Sequence, residues 1–228
     1  MRTGIGTAAL AAAAAVAAAA ALAAAAALTA TAVPAVSPSA ASAATATTWT
    51  VSPGGKITAT AGKTTLTDTR TGATITCVSA HMSGAFKAGS GLPGSAIGSL
   101  ATSVYSLCSG GPFPATVTAS GLPWRLNLTS YDRSTGVARG TISHLQLAAS
   151  VSPGTPCTAV INGTSGTAPD GVAPVSYASK TGTLKFLSTG GNLHWYHVHR
   201  CVGIVNNGDA ATITASYTIS PRQVVTSP

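Results

Sequence analysis

Ala211-Thr212-Ile213-Thr214-Ala215-Ser216-Tyr217-Thr218-Ile219 alternates without a break: every odd position is apolar and every even one is Thr or Ser. Successive side chains of a strand point to opposite faces, so this stretch has one face for a core and one for water. A helix would need apolar residues three and four apart, and the period here is two. The chain therefore reads as antiparallel β.

The same alternation recurs upstream at 56–61, 74–80, 115–119, 124–131, 137–149, 172–177, 183–187 and 192–199. Turn-forming clusters separate these runs, among them Pro53-Gly54-Gly55, Thr71-Gly72, Gly110-Gly111-Pro112, Gly190-Gly191-Asn192 and Asn207-Gly208. About ten short strands at this spacing predict one all-β domain, an antiparallel β-sandwich or barrel. One short helix is predicted over 95–107, where Ile97, Leu100, Val104 and Leu107 fall at helical spacing.

The N-terminus reads as an address. Met1-Arg2-Thr3 is a short positive start, residues 8–28 are all Ala, Leu or Val, and small residues follow, the order of a secretory signal. Cleavage is expected after Ala32 or after Ala43, with Ala43 preferred because Pro34 and Pro38 then mark an extended segment before the cut. An uncleaved anchor is the alternative, since the run approaches the roughly 20 residues that span a bilayer. Alanine is only marginally favourable there. The expected division is a signal peptide 1–43, a disordered leader 44–48, a secreted β domain 49–221 and a C-terminal tail 222–228, with no membrane attachment once the signal is gone.

Four cysteines, Cys77, Cys108, Cys157 and Cys201, all lie in the exported part, which reads as two disulfides in an oxidising compartment. Three connectivities exist. Cys77–Cys108 with Cys157–Cys201 is the preferred one, because each bond then staples one half of the chain.

The ionisable inventory restricts the chemistry. Asp68, Asp132, Asp170 and Asp209 are the only carboxylates among 228 residues, and there is no Glu, so paired-carboxylate and two-metal mechanisms have little to draw on. No G-x-S-x-G occurs for a nucleophilic serine. Asp132, Asp170 and Asp209 lie in Gly- or Ser-rich stretches and read as turn residues. The expectation is a protein without a catalytic residue.

One local cluster stands out. His194-Trp195-Tyr196-His197-Val198-His199 holds three of the five histidines, and on a regular strand His197 and His199 share a face with Trp195. The alternative function is accordingly an extracellular metal-binding protein or enzyme, with zinc or copper on His197 and His199 and a third ligand from His81 or His144. The basic residues suggest a partner instead. Without Arg2, 11 Lys and Arg face 4 Asp, a net of about +7, but they are spread singly with no aromatic platform of the nucleic-acid type. A cell-wall polyanion is the more natural partner, or a polysaccharide if Trp49, Trp124, Trp195 and Tyr196 are exposed.

Several stretches resemble a group of secreted proteins of soil-dwelling high-GC Gram-positive bacteria that has no assigned activity. They are Leu66-Thr67-Asp68 with Thr71-Gly72 and Cys77, Gly121-Leu122-Pro123-Trp124, Tyr131-Asp132 with Thr135-Gly136-Val137, Gly190-Gly191-Asn192-Leu193-His194, and Gly208-Asp209. The resemblance spans roughly 49–221. It implies an exported, Cys-paired, β-rich protein and carries over no catalytic residue.

Overall fold

The computed structural model describes residues 47–152, 154 and 156–228; the expected signal peptide and residues 44–46 of the leader lie outside the described residues. In chain order the strands are β1 Thr48–Ser52, β2 Gly55–Ala61, β3 Thr64–Asp68, β4 Thr74–Phe86, β5 Gly89–Pro93, β6 Gly98–Gly110, β7 Phe113–Ser120 and β8 Trp124–Asp132. There follow β9 Val137–Val151, β10 Cys157–Asn162, β11 Gly171–Ala178, β12 Thr183–Phe186, β13 His194–His199, β14 Ala211–Thr214, β15 Ser216–Ser220 and β16 Val224–Thr226. The strands pair antiparallel, and no helix occurs among the described residues.

The alternating stretch 211–219 behaves as its period demands. All five odd positions are buried and the even ones are not, although the chain turns a corner at Ala215 and divides into β14 and β15.

Eight strands close a barrel. β2 pairs β4, β4 pairs β6, β6 pairs β8, β8 pairs β9, β9 pairs β11, β11 pairs β12, β12 pairs β15, and β15 returns to β2. Closure removes the unpaired edges that an open sheet would present to other chains. Three of these strands are longer than one ring uses: β4 and β6 have 13 residues each and β9 has 15. Their far ends carry a second tier, in which β3 and β14 join β4, β7 joins β6 to β9, and β10 and β13 join β9. The gap between β13 and β14 is spanned by a single bridge, His194 to Ala210, with Trp195 N–H donating to Asp209 O at 2.8 Å and Ala211 N–H to Leu193 O at 2.8 Å.

The two ends of this barrel differ. At the first tier a three-stranded sheet, β16-β1-β5, contributes Trp49, Val51 and Val225 to the same buried cluster as the barrel interior. Tyr177, near the end of β11, donates its hydroxyl to Gln223 O at 2.7 Å and accepts from Gln223 N–H at 3.0 Å. That end is sealed. Among the described residues the opposite end, where β4 begins and β6 and β9 finish, has no such cover.

Large aromatics hold the interior: Trp49, Trp124, Trp195, Tyr177 and Tyr217 are all fully buried. Side chains of this kind remove roughly 150–250 Å² each from water, on the order of 4–6 kcal/mol of transfer free energy apiece. Burial pushes the phenol of Tyr217 well above its usual range, and that of Tyr105 upward too.

The hairpins are set by short motifs. Asp68 Oδ1 accepts from Arg70 N–H at 2.9 Å and Thr71 N–H at 3.0 Å; Asp132 Oδ1 accepts from Ser134 N–H at 2.9 Å and Thr135 N–H at 3.3 Å. Each turn closes on a glycine with positive φ, Gly72 at 75° and Gly136 at 69°, a conformation glycine adopts freely. Hydrogen bonds from Ser134 and Thr135 hold the Asp132 carboxyl down at about 2.

Three expectations are corrected. The helix over 95–107 is absent: Ser95 and Ala96 form a turn and β6 runs on from Gly98. Ile97 and Leu100 are buried but Val104 and Leu107 are 56% and 78% exposed, so the four never shared a face. The run Thr102-Ser103-Val104-Tyr105-Ser106 favours a strand, and β4 offers it a partner from Ile75 to Phe86. The tail 222–228 contains β16, paired with β1, and Gln223 and Val225 are fully buried. Thr48, assigned to the leader, already belongs to β1.

Candidate binding cavity at the open end

The preferred connectivity is the one present. Cys77 bonds Cys108, and Cys157 bonds Cys201. Cys77 and Cys108 are direct cross-strand partners on β4 and β6. Cys157 opens β10 and Cys201 follows β13, the strand that pairs with β10, so this bond ties down the loop after β13.

That loop borders a cavity of about 460 Å³ at the uncovered end of the second tier. Its wall is built from strand ends: Ile75 on β4, Ala149 and Val151 on β9, Ala159 on β10 and Trp195 on β13. The Cys157–Cys201 bond completes it, and Phe113, Val202 and Ile204 stand at the rim, 42%, 92% and 59% exposed. Small-molecule sites have volumes of roughly 300–1,000 Å³, apolar walls and few polar groups, and barrel mouths are a favoured place for them.

The rim loop is held in a tense shape. Arg200 and Val202 have φ of 60° and 47°, a region that is costly for a β-branched residue such as Val202. Besides the disulfide, Thr71 donates its hydroxyl to Ile204 O at 2.7 Å, and Ile204 N–H donates to Cys201 O at 2.9 Å. The chain beyond is anchored by Asp209, which accepts from Asn206 and pairs with Arg70 Nε at 2.7 Å. Burial raises this carboxyl's pKa, but the hydrogen bonds from Asn206 and Arg70 and the charge of Arg70 outweigh it and hold it below the usual range.

Trp195 joins the two sides of the site. Its backbone pairs with β10 and with the Gly208–Asp209 turn, and its side chain is 2% exposed. The indole Nε1–H has no hydrogen-bond partner, which is unusual for a buried donor.

The histidines do not follow the regular alternation. His197 has φ of 50°, at a register shift opposite Thr158 and Val160, and this breaks the phase of β13. Trp195 turns into the barrel while His197 and His199 are exposed on the outside. His197 Nε2 lies 3.0 Å from Gly166 O, and His194 Nδ1 lies 2.8 Å from Asn192 O. Among the described residues no three His, Cys, Asp or Glu side chains gather as metal ligands, so neither His81 nor His144 completes a site with them. Trp49 and Trp124 are core residues, and Tyr196 is half-buried against Gly166 with its hydroxyl on Thr164 O, so these aromatics form no exposed stacking platform. The basic side chains of the β domain all lie on the surface.

The cavity escaped sequence reading because its walls come from five distant segments. The local signal was Val202-Gly203-Ile204-Val205, an apolar run directly after a cysteine where a polar turn was to be expected. In comparisons with known proteins, no family model, curated protein or solved structure matches the chain.

Proposed function

We propose that this chain is a secreted, non-catalytic binding protein that holds a small apolar molecule in the open end of its barrel. The cavity carries the reading: one end of the barrel is sealed by β16-β1-β5, while the other presents an apolar hollow with apolar residues exposed around it. A concave apolar hollow with a small number of polar groups at its mouth is the form that small-molecule sites take.

The absence of catalysis is supported by how the carboxylates are used. Asp68 and Asp132 are engaged by turn amides, Asp170 by Thr164 and Ser165, and Asp209 by Asn206 and Arg70. Export is supported by the Ala-rich N-terminal run and by two disulfides of the kind an oxidising compartment sustains. The exposed cations supply a weak, salt-sensitive attraction to wall polyanions, which keeps the protein near the envelope it leaves. The resemblance to a secreted group implies the same export and paired cysteines and carries over no catalytic residue.

The test uses protein recovered from the culture medium and a neutral fluorescent probe, N-phenyl-1-naphthylamine. Saturable binding of one probe per chain is expected, and Ala159→Phe, which places a ring in the cavity, should abolish it without unfolding the protein. Non-saturable binding, binding unchanged by Ala159→Phe, or no protein in the medium would each contradict the proposal.

A further inference from the structure

We infer that the occupant is an anionic amphiphile, a monocarboxylate with an apolar tail or ring, whose carboxylate meets Arg200 at the mouth. This rests on the binding reading above and gives its ligand a chemical class.

The polar groups of the cavity are one-sided. Among the described residues that line it there is no carboxylate, and the only charge is Arg200. Beside it, Thr74 contributes a hydroxyl. Arg200 is exposed and makes no ion pair among the described residues, where Arg70–Asp209 is the ion pair found. A guanidinium is a donor without acceptor capacity. The ligand must therefore supply the acceptors, and a carboxylate gives a guanidinium its best-matched partner.

Trp195 belongs to the cavity wall, and its Nε1–H, which has no partner, is not exposed to the open space of the cavity. The geometry is set in advance: the disulfide at Cys201 and the Thr71 bond to Ile204 fix the loop that carries Arg200, so little order has to be created on binding. With 11 basic residues, Arg2 left out, against 4 acidic ones, the surrounding field favours an anion.

The experiment is a competition against the same naphthylamine probe on the full secreted chain, using octanoate, 1-octanol and octylammonium. Octanoate is expected to bind about tenfold more tightly than 1-octanol, a gain in the range of a charge-assisted pair, with octylammonium the weakest. Arg200→Gln should bring octanoate to within about twofold of 1-octanol, both read on that same variant, while Arg200→Lys keeps part of the preference. Equal affinity for octanoate and 1-octanol in the parent, or a preference that survives Arg200→Gln, overturns the ligand class but not the cavity. If the probe itself fails to bind, the binding reading falls with it. A dimer that takes up neither probe nor octanoate would assign the mouth to a second copy of the chain and overturn both.

Discussion

Replacing Cys157 and Cys201 together by serine is expected to lower the unfolding free energy by about 4 kcal/mol and to abolish probe binding. The same exchange at Cys77 and Cys108 is expected to cost nearly as much, about 3.7 kcal/mol, and to leave binding within about twofold of the parent. The stability terms are similar because the residues span comparable lengths of chain, 44 and 31 apart, and loop-closure entropy grows only slowly with length. The binding effects differ because the bonds sit in different surroundings. Cys77 and Cys108 face each other within strands registered on both sides of them, so the local backbone stays in place without the bond. Cys201 instead begins the loop Val202–Val205, and Cys157 and Cys201 are themselves part of the cavity wall. Urea unfolding of both double variants, followed by probe titration, separates the two effects. Equal loss of binding in both would detach the cavity from the Cys157–Cys201 bond.

The second large effect is expected at Gly140. This residue lies on β9 opposite Leu128 of β8 and Val175 of β11, where both neighbours help close the barrel. A Cβ built there would stand 1.8 Å from the backbone oxygen of Asn127. Backbone cannot swing aside as a side-chain tip can, so β8 and β9 would have to separate. Gly140→Val is expected to cost roughly 4 kcal/mol or more, the range in which a domain of ordinary stability is left marginal. Gly62 offers the control, with open space around it and no positive φ, and Gly62→Ala should change stability by less than about 0.5 kcal/mol. Denaturant unfolding of the two variants measures the difference. A Gly140→Val protein as stable as the parent would contradict barrel closure through β8 and β9.

Much of this fold is legible in the sequence because period-two alternation is a local property. The runs at 124–131, 137–149 and 211–219 each become strands at nearly those bounds. The Asp68 and Asp132 turns are equally local, since the carboxylate bonds amides two and three residues ahead. The misreadings arise where a tertiary partner decides. Ile97, Leu100, Val104 and Leu107 have helical spacing, yet pairing with β4 commits the segment to the sheet, and a register shift between Val104 and Cys108 lets Leu107 face solvent. His197 and His199 would share a face with Trp195 on a regular strand, but the positive φ at His197 breaks the phase. A bulge leaves no mark in composition or period. Neither does the cavity, whose wall residues lie on strand ends that only topology brings together. Gln223 and Val225 looked like a tail because three residues of strand carry too little periodicity to be read.

The indole N–H groups offer the most direct view of the cavity. The three tryptophans give three indole signals in a proton–nitrogen correlation spectrum, and Trp195→Phe identifies the one that belongs to the site. Trp124 already donates to Ser120 O at 2.8 Å, and Trp49 lies at the sealed end against Tyr131, whereas Trp195 Nε1–H has no partner. On titration with 1-octanol, the Trp195 signal should move far and saturably while the Trp49 and Trp124 signals stay in place. A Trp195 signal that stays fixed while the alcohol is added, or movement confined to the other two, would contradict an apolar binding site at the open end of the barrel.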